Sequence, residues 1–213
     1  MKNNVSQYYE ALYLNPHKAK SVFGLPEKEL IEFLNSFHFE GVKALDLGCG
    51  DGRHTIFLAL KNFIVFGVDN SPRGLKKIKD AIKNAKITKN IHLKKANLKT
   101  IRLKPNEFNL VICIRTLYEI GANGVKHIIK QAKRSTKPNG INYLAFFIPK
   151  AGTHMRRGCY YPNPSAIIRQ YKGWKILRKK NVLMAHSHAT PHSKEKKVRH
   201  KHYVCHLFLQ KVS

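Results

Sequence analysis

Acidic residues are scarce in this chain. Its 213 residues include 12 Asp/Glu against 40 Lys/Arg, a formal net charge of +28. Twelve carboxylates cannot pair with 40 cations, so ion-pair networks do not explain the excess. The scarcity is also uneven, for residues 120–213 hold 20 Lys/Arg and a single acid, Glu195. An excess of this kind repels itself in the compact state and attracts polyanions. Two readings stay open at this point. One is contact with RNA, DNA or an anionic substrate; the other is a general lysine bias or a saline cell interior, which says nothing about function.

Cysteine is sparse as well. Cys49, Cys113, Cys159 and Cys205 form no C-x-x-C pair, which argues against a disulfide frame or zinc knuckle and for a reducing, cytoplasmic location. No run of about 18 apolar residues is present, so no membrane partner is expected. The opening "MKNNVSQYYEALYLNPHK" has no apolar block of the signal-peptide kind. Repeats and Gly/Ser linkers are missing too. With 43% hydrophobic residues, the chain suits a single globular domain over 1–213. Residues 1–38 would form a helical region able to close over a site as a lid. The oligomeric state is left open.

What is present is an alternation of apolar strands and amphipathic helices. Pro26 is expected to open a helix in "PEKELIEFLNSF", with Leu30, Ile31, Leu34 and Phe37 inward. Strands follow at "VKALDL" (42–47), "FIVFGVD" (63–69), "IHLKKAN" (91–97), "FNLVICI" (108–114) and "INYLAFFIP" (141–149). Helices are expected from Gly52 to Lys61, from a Ser71 cap and Pro72 onward, and over "GVKHIIKQAKRST". "GWKILRKKNVLM" (173–184) and "HYVCHLFLQKV" (202–212) are separated only by a His- and Lys-rich loop, so they read as an antiparallel hairpin. The fold class is therefore α/β: a doubly wound, seven-stranded, mostly parallel sheet with an antiparallel C-terminal hairpin.

Glycines recur at alternate positions in "ALDLGCGDGRHTIFLA" (44–59), at Gly48, Gly50 and Gly52. A glycine loop between the first strand and its helix is where an open sheet binds a nucleotide. The dinucleotide fingerprint G-x-G-x-x-G fails, because Arg53 takes the third glycine position counted from Gly48. A Walker loop is absent. Asp46 and Asp51 would repel a pyrophosphate, whereas the sulfonium and ammonium of S-adenosylmethionine (SAM) suit a carboxylate. Asp69 ends the second strand, 21 residues after Gly48, where an acid can accept from both ribose hydroxyls. Asn97 ends the third strand and could meet the adenine edge or form a turn. Arg115 and Thr116 follow the fourth strand, beside the place of the methyl group.

At these residues the chain resembles the class I SAM-dependent methyltransferases from about residue 40 onward. "LDLGCGDGR" matches their first motif, "GVDNS" the second-strand acid, "FNLVICI" the fourth strand and "TKPNG" the turn before the fifth. Asn97 and Asn109 stand where aspartates are common in the family. The resemblance implies a Rossmann-like fold, SAM as methyl donor and S-adenosylhomocysteine as product. The cofactor-binding set it implies is Asp46, Gly48, Cys49, Gly50, Asp69, Asn70, Asn97, Leu98 and Arg115. Within the class, "GDGRHTIFLA" and the C-terminal hairpin look most like the tellurite-resistance (TehB-like) group, in which a His and a following Arg of a late hairpin face the substrate. That resemblance implies His188, His192 and Arg199 as catalytic candidates, with His186 an alternative for the His.

The acceptor is read from the neighbourhood of the methyl. Nucleic-acid amino-methylating enzymes commonly carry N/D-P-P-Y/F/W after the fourth strand, whereas this chain has "IRTLYEI", and "NPS" (163–165) comes far later. Cys113 lies inside a strand, which disfavours a cytosine-C5 nucleophile. The loop "HSHATPHSKEKKVRHKH" (186–202) could bind an oxyanion, with a neutral His taking a proton. It could also clasp a metal or simply be solvated. No third-ligand spacing supports a metal, and none is assigned. The leading expectation is a methyltransferase for a small polar or anionic acceptor. The alternatives are an RNA methyltransferase and a basic, non-catalytic RNA-binding protein that retains a SAM site.

Overall fold

The computed structural model describes residue 21 and residues 24–36, 41–83, 87–153, 155–188 and 198–212. Among these, five helices and seven strands follow one another as α1 (Lys28–Asn35), β1 (Lys43–Leu47), α2 (Arg53–Leu60), β2 (Ile64–Asp69), α3 (Pro72–Lys83), β3 (Ile91–Lys95), β4 (Phe108–Ile114), α4 (Gly121–Ser135), β5 (Thr136–Ile148), α5 (Pro164–Gln170), β6 (Trp174–His188) and β7 (Val198–Lys211). They build one sheet in the order β3-β2-β1-β4-β5-β7-β6. The first five strands of that order pair in parallel, while β7 runs antiparallel to both β5 and β6. The doubly wound sheet and its C-terminal hairpin are thus as the sequence pattern predicts.

The order reverses between β1 and β4, which puts the switch point directly above the glycine loop. β1 and β4 are almost wholly buried because helices cover both of their faces. On one face, α1, α2 and α3 cover Ala44, Val65, Leu110 and Tyr143. On the other, α4 and α5 cover Leu45, Val111, Leu144 and Leu207. Asn109, which replaces a common aspartate, accepts from the Lys43 backbone N–H at 3.3 Å and satisfies the start of β1.

Local signals act where expected for α3: the Ser71 hydroxyl accepts from the Gly74 N–H at 3.0 Å, and Leu75, Ile78 and Ile82 face inward. α1 departs from the prediction in two ways. It begins at Lys28 rather than at Pro26, and its cap, Glu27, makes no side-chain cap bond. Its inward stripe is Glu29, Leu30, Phe33 and Leu34, with Ile31 only partly covered. Phe33 turns inward because it stacks on Phe208 of β7 at 4.1 Å, and Phe208 in turn stacks on Tyr143 of β5 at 4.2 Å. Phe37 lies outside the described residues.

β5 begins earlier than predicted. Thr136 already pairs with Phe108, and a register shift then carries "TKPNG" into the ladder with Asn139 at φ 60°. The helix α5 was not foreseen. Asn163 caps it, its Oδ1 accepting from the Ser165 N–H at 2.8 Å, with Pro164 as the first helical residue. The "NPS" tripeptide is therefore a helix start.

Candidate cofactor and acceptor site

The loop after β1 is bent by three glycines at positive φ: 82° at Gly48, 56° at Gly50 and 91° at Gly52. The N–H groups of Gly48 and Cys49 both donate to the Val68 carbonyl at the end of β2, at 2.8 and 3.1 Å. A Cβ on Gly48 would collide with the Thr116 side chain, and one on Gly52 would lie 2.6 Å from Ile78 of α3. The loop therefore presses its bare backbone against the end of β4 on one side and against α3 on the other.

Asp69 fixes the loop from β2. Its Oδ2 accepts from the Gly50 N–H and its Oδ1 from the Ser71 N–H, each at 2.8 Å. Asn70, next in the chain, is exposed. Cys49 is buried against Gly67, whose missing side chain makes the room: a Cβ there would sit 3.1 Å from the sulfur. Burial pushes the Cys49 thiol well above its ordinary range. Beyond β3, Asn97 accepts from the Lys99 N–H at 2.9 Å through its side-chain oxygen, which closes a turn, and Leu98 is buried beneath it. The turn-forming reading of Asn97 is thus realised at its oxygen.

Asp46 is only 2% exposed and lies under the loop, where its Oδ2 accepts from the Thr55 hydroxyl at 2.7 Å. Burial pushes its carboxyl up to about 7, against the pull of that hydroxyl. The sequence reading has this carboxylate facing a ligand directly; the fold places it one layer down, holding the first turn of α2 to β1. Cys113 is buried within β4, its thiol pushed up to about 12 by burial, so it is no nucleophile.

A second stretch of chain reaches this loop. Ser21 donates to Asp51 Oδ1 at 2.7 Å, Arg53 Nη1 donates to the Leu25 carbonyl at 3.2 Å, and the Glu27 N–H donates to His54 Nε2 at 3.2 Å. The segment before α1 therefore runs along residues 51–54. Burial, with Arg53 and Arg115 nearby, keeps the His54 pKa well below the usual imidazole range, so Nε2 stays free to accept.

Arg115 occupies the end of β4 at φ 55°, its N–H donating to the Ala145 carbonyl at 2.6 Å. Its guanidinium pairs with Glu27 Oε1 at 2.6 Å, donates to the Met184 sulfur at 3.2 Å and lies 5.9 Å from the Phe147 ring. Its Nε is buried and meets no hydrogen-bond partner among the described residues. Glu27, 4% exposed at its side chain, also meets Arg53 at 3.4 Å. Glu29 pairs with Lys180 of β6 at 3.2 Å and lies 3.8 Å from His206 Nε2. His206 is fully buried on β7, bonded through Nδ1 to the Tyr143 hydroxyl at 2.8 Å, and burial lowers its pKa. Glu27, Glu29 and His206 bring ligand atoms within 4.8 Å of one another. Arg115 and Lys180 already stand on those carboxylates and would repel a cation there.

An aromatic wall continues outward from Arg115. Tyr118 meets Phe147 edge-on at 5.1 Å and Tyr161 at 6.2 Å, and Phe147 packs on His202 at 4.6 Å. Arg156 grips Glu119 with two contacts, at 2.9 and 2.8 Å. Of the catalytic candidates, His188 and Arg199 stand in the hairpin opposite Val198 and Ser187. Their side chains, and His192 altogether, lie outside the described residues. Glu27, His54 and His206 were not singled out in the sequence, and Arg53 was noted only for breaking the dinucleotide fingerprint. A signal existed for His206, a polar residue at an inward position of "YVCHLFL".

A seven-stranded sheet of this order, with a glycine loop at its switch point, is the Rossmann-like fold of class I SAM-dependent methyltransferases. Residues 44–140 match the family model described as a methyltransferase domain. An uncharacterized methyltransferase of Synechocystis is 32% identical over 101 residues, 47% of this chain and 45% of the relative. The chain spans 45% of the length of the curated relatives it matches. TehB from Haemophilus influenzae has the same fold, with a TM-score of 0.71 at 16% identity, covering 87% of this chain and 62% of that one. So does Haemonchus contortus phosphoethanolamine N-methyltransferase 2, solved with phosphomonomethylethanolamine and S-adenosylhomocysteine. Its TM-score is 0.67 at 16% identity, covering 87% of this chain and 52% of that one.

The residues fit SAM. The loop offers bare backbone at three glycines and no cation that would hold a pyrophosphate, while Asp69 holds its carboxylate at the loop's edge. No helix among the described residues is long and apolar enough to cross a membrane.

Proposed function

We propose that this protein is a methyltransferase acting on a small polar or anionic acceptor, with SAM as donor. One observation carries the acceptor reading. The Arg115 guanidinium stands just after β4, next to the residue that faces Gly48, with a buried Nε–H that meets no partner among the described residues. A buried donor without a partner costs about 1–3 kcal/mol, more for a charged group. An oxyanion on the acceptor would remove that cost.

When bound, SAM would supply an electrophilic sulfonium methyl for the acceptor's lone pair and leave as S-adenosylhomocysteine. The chain's own residues then have distinct duties. Gly48, Cys49 and Gly50 would lie along the donor, and Asp69 would receive its ribose hydroxyls. Asn70, Asn97 and Leu98 would border the adenine. Asp46 would act through the loop, by tying β1 to α2. Arg115 would orient the acceptor, and the wall of Tyr118, Phe147 and His202 would exclude water, which sharpens the nucleophile. His188, His192 and Arg199 of the hairpin remain the proposed partners for the acceptor's proton and charge. The solved Haemonchus enzyme, with its phosphate-bearing ligand, is a precedent in the same fold.

Tritiated SAM offered with a metabolite extract and, separately, with total RNA tests the acceptor. Label in the small-molecule fraction is expected, and label confined to RNA would overturn the reading. Calorimetry tests the donor, with S-adenosylhomocysteine expected to bind and NADH not.

A further inference from the structure

On the sheet face opposite α1–α3, α4 carries Lys126, Lys130 and Lys133. Spacings of four and three residues set their side chains on one flank, over about 10 Å of helix. With Ile129 and Gln170 they line a cleft of about 270 Å³ between α4 and α5. Lys133 is drawn to the back of the cleft, its Nζ donating to the Gln170 carbonyl at 2.5 Å and lying 5.5 Å from the Tyr171 ring. Lys126 and Lys130 are exposed at its mouth. Arg134 and Arg169 add exposed cations on the same two helices, and among the described residues no carboxylate lines the cleft. Like charges at this spacing weaken a helix. A row of anions would reverse that penalty.

We propose that this lysine-lined cleft is a docking surface for the phosphodiester backbone of single-stranded RNA. Three cations in line suit a chain of regularly spaced phosphates better than one compact anion. The cleft is lined by three lysines, an isoleucine and a glutamine. Lysine contacts to phosphate fix position along the backbone and carry no base readout. It lies across the sheet from the α1 face and does not depend on the methyl-transfer reading.

The test is fluorescence anisotropy with a labelled oligouridine across 50–300 mM KCl. Two triple variants that remove equal charge are compared with the wild type. Lys126→Gln/Lys130→Gln/Lys133→Gln is expected to weaken binding at least tenfold at low salt. It should also flatten the log–log salt slope by about 2, as three lost single-strand phosphate contacts require. Lys175→Gln/Lys179→Gln/Lys201→Gln, on the hairpin, is expected to bind as the wild type does. Replacing the three α4 lysines by Arg should preserve binding, which separates charge from misfolding. Equal losses in the two Gln triples would overturn the proposal, because the attraction would then belong to net charge. Equal competition by polyglutamate would overturn it too, because the site would then not distinguish phosphate from carboxylate.

Discussion

The two halves of the chain solve opposite electrostatic problems. Residues 1–119 hold 11 of the 12 acids and place them individually: Asp46 under the loop, Asp69 on Gly50, Glu27 on Arg115 and Glu29 on Lys180. Residues 120–213 hold one acid and 20 cations, most of which meet no carboxylate in their own half. The contrast teaches that the scarce acids work as fasteners for backbone and arginine, whereas the cations form a field. Removing one acid should therefore be felt at a single site, and removing one exposed, unpaired lysine should scarcely be felt at all.

The sharpest break of this contrast is Glu27→Ala. It strands the Arg115 guanidinium away from water, and breaking such a buried pair costs about 3–5 kcal/mol. Thermal melts should show the loss, with Glu27→Gln retaining part of the stability through its remaining acceptor. A change below 1 kcal/mol would mean the segment before α1 is not fastened as described. Next is Asp69→Ala, which removes the acceptor of two backbone N–H groups. S-adenosylhomocysteine binding is expected to fall at least ~100-fold, or about 3 kcal/mol, in calorimetry.

Asp46→Asn sharpens the comparison through pH. The folded carboxyl, raised to about 7 from 3.8, binds a proton that the unfolded chain has released. Stability contributed by this group is therefore present below about pH 4 and is lost as pH rises toward 7. Asn avoids that loss, so the variant should outlast the wild type at pH 8 more than at pH 5, while binding S-adenosylhomocysteine less well. Parallel melting curves across pH would contradict the burial account. The smallest effect is expected for single Lys→Gln changes at Lys175, Lys179 or Lys201. Each should shift stability by no more than about 0.5 kcal/mol.

The same division sets what the sequence makes legible. Strand and helix periods follow from local pattern, so the sheet and hairpin could be drawn from spacing alone. The glycines are legible because positive φ and close approach to Thr116 and Ile78 admit nothing larger. Asp69 is legible because its duty is set by its place at the end of β2. Glu27, His54 and Arg115 are different, for they meet only when the segment before α1 folds back over a loop some 25 residues later. Arg115 was noticed for following β4; its carboxylate partner was not. His206 was hidden by a strand whose neighbours are all apolar. The position of Asp46 shows a further limit: spacing reveals that an acid precedes the loop, but which side of the backbone it takes depends on Thr55.

The outermost strand, β6, runs for 15 residues at the rim of the sheet and leaves Ile176 and Leu183 45% and 47% exposed. A rim of that length, with open backbone groups and apolar side chains, is a template on which a second copy could add its own strand. Lys175, Arg178, Lys179 and Lys180 stand along the same rim. Two such rims brought together would set these cations against one another. Such a row of cations opposes self-stacking, and a variant that removed all four of them from β6 should be recognised first by turbidity.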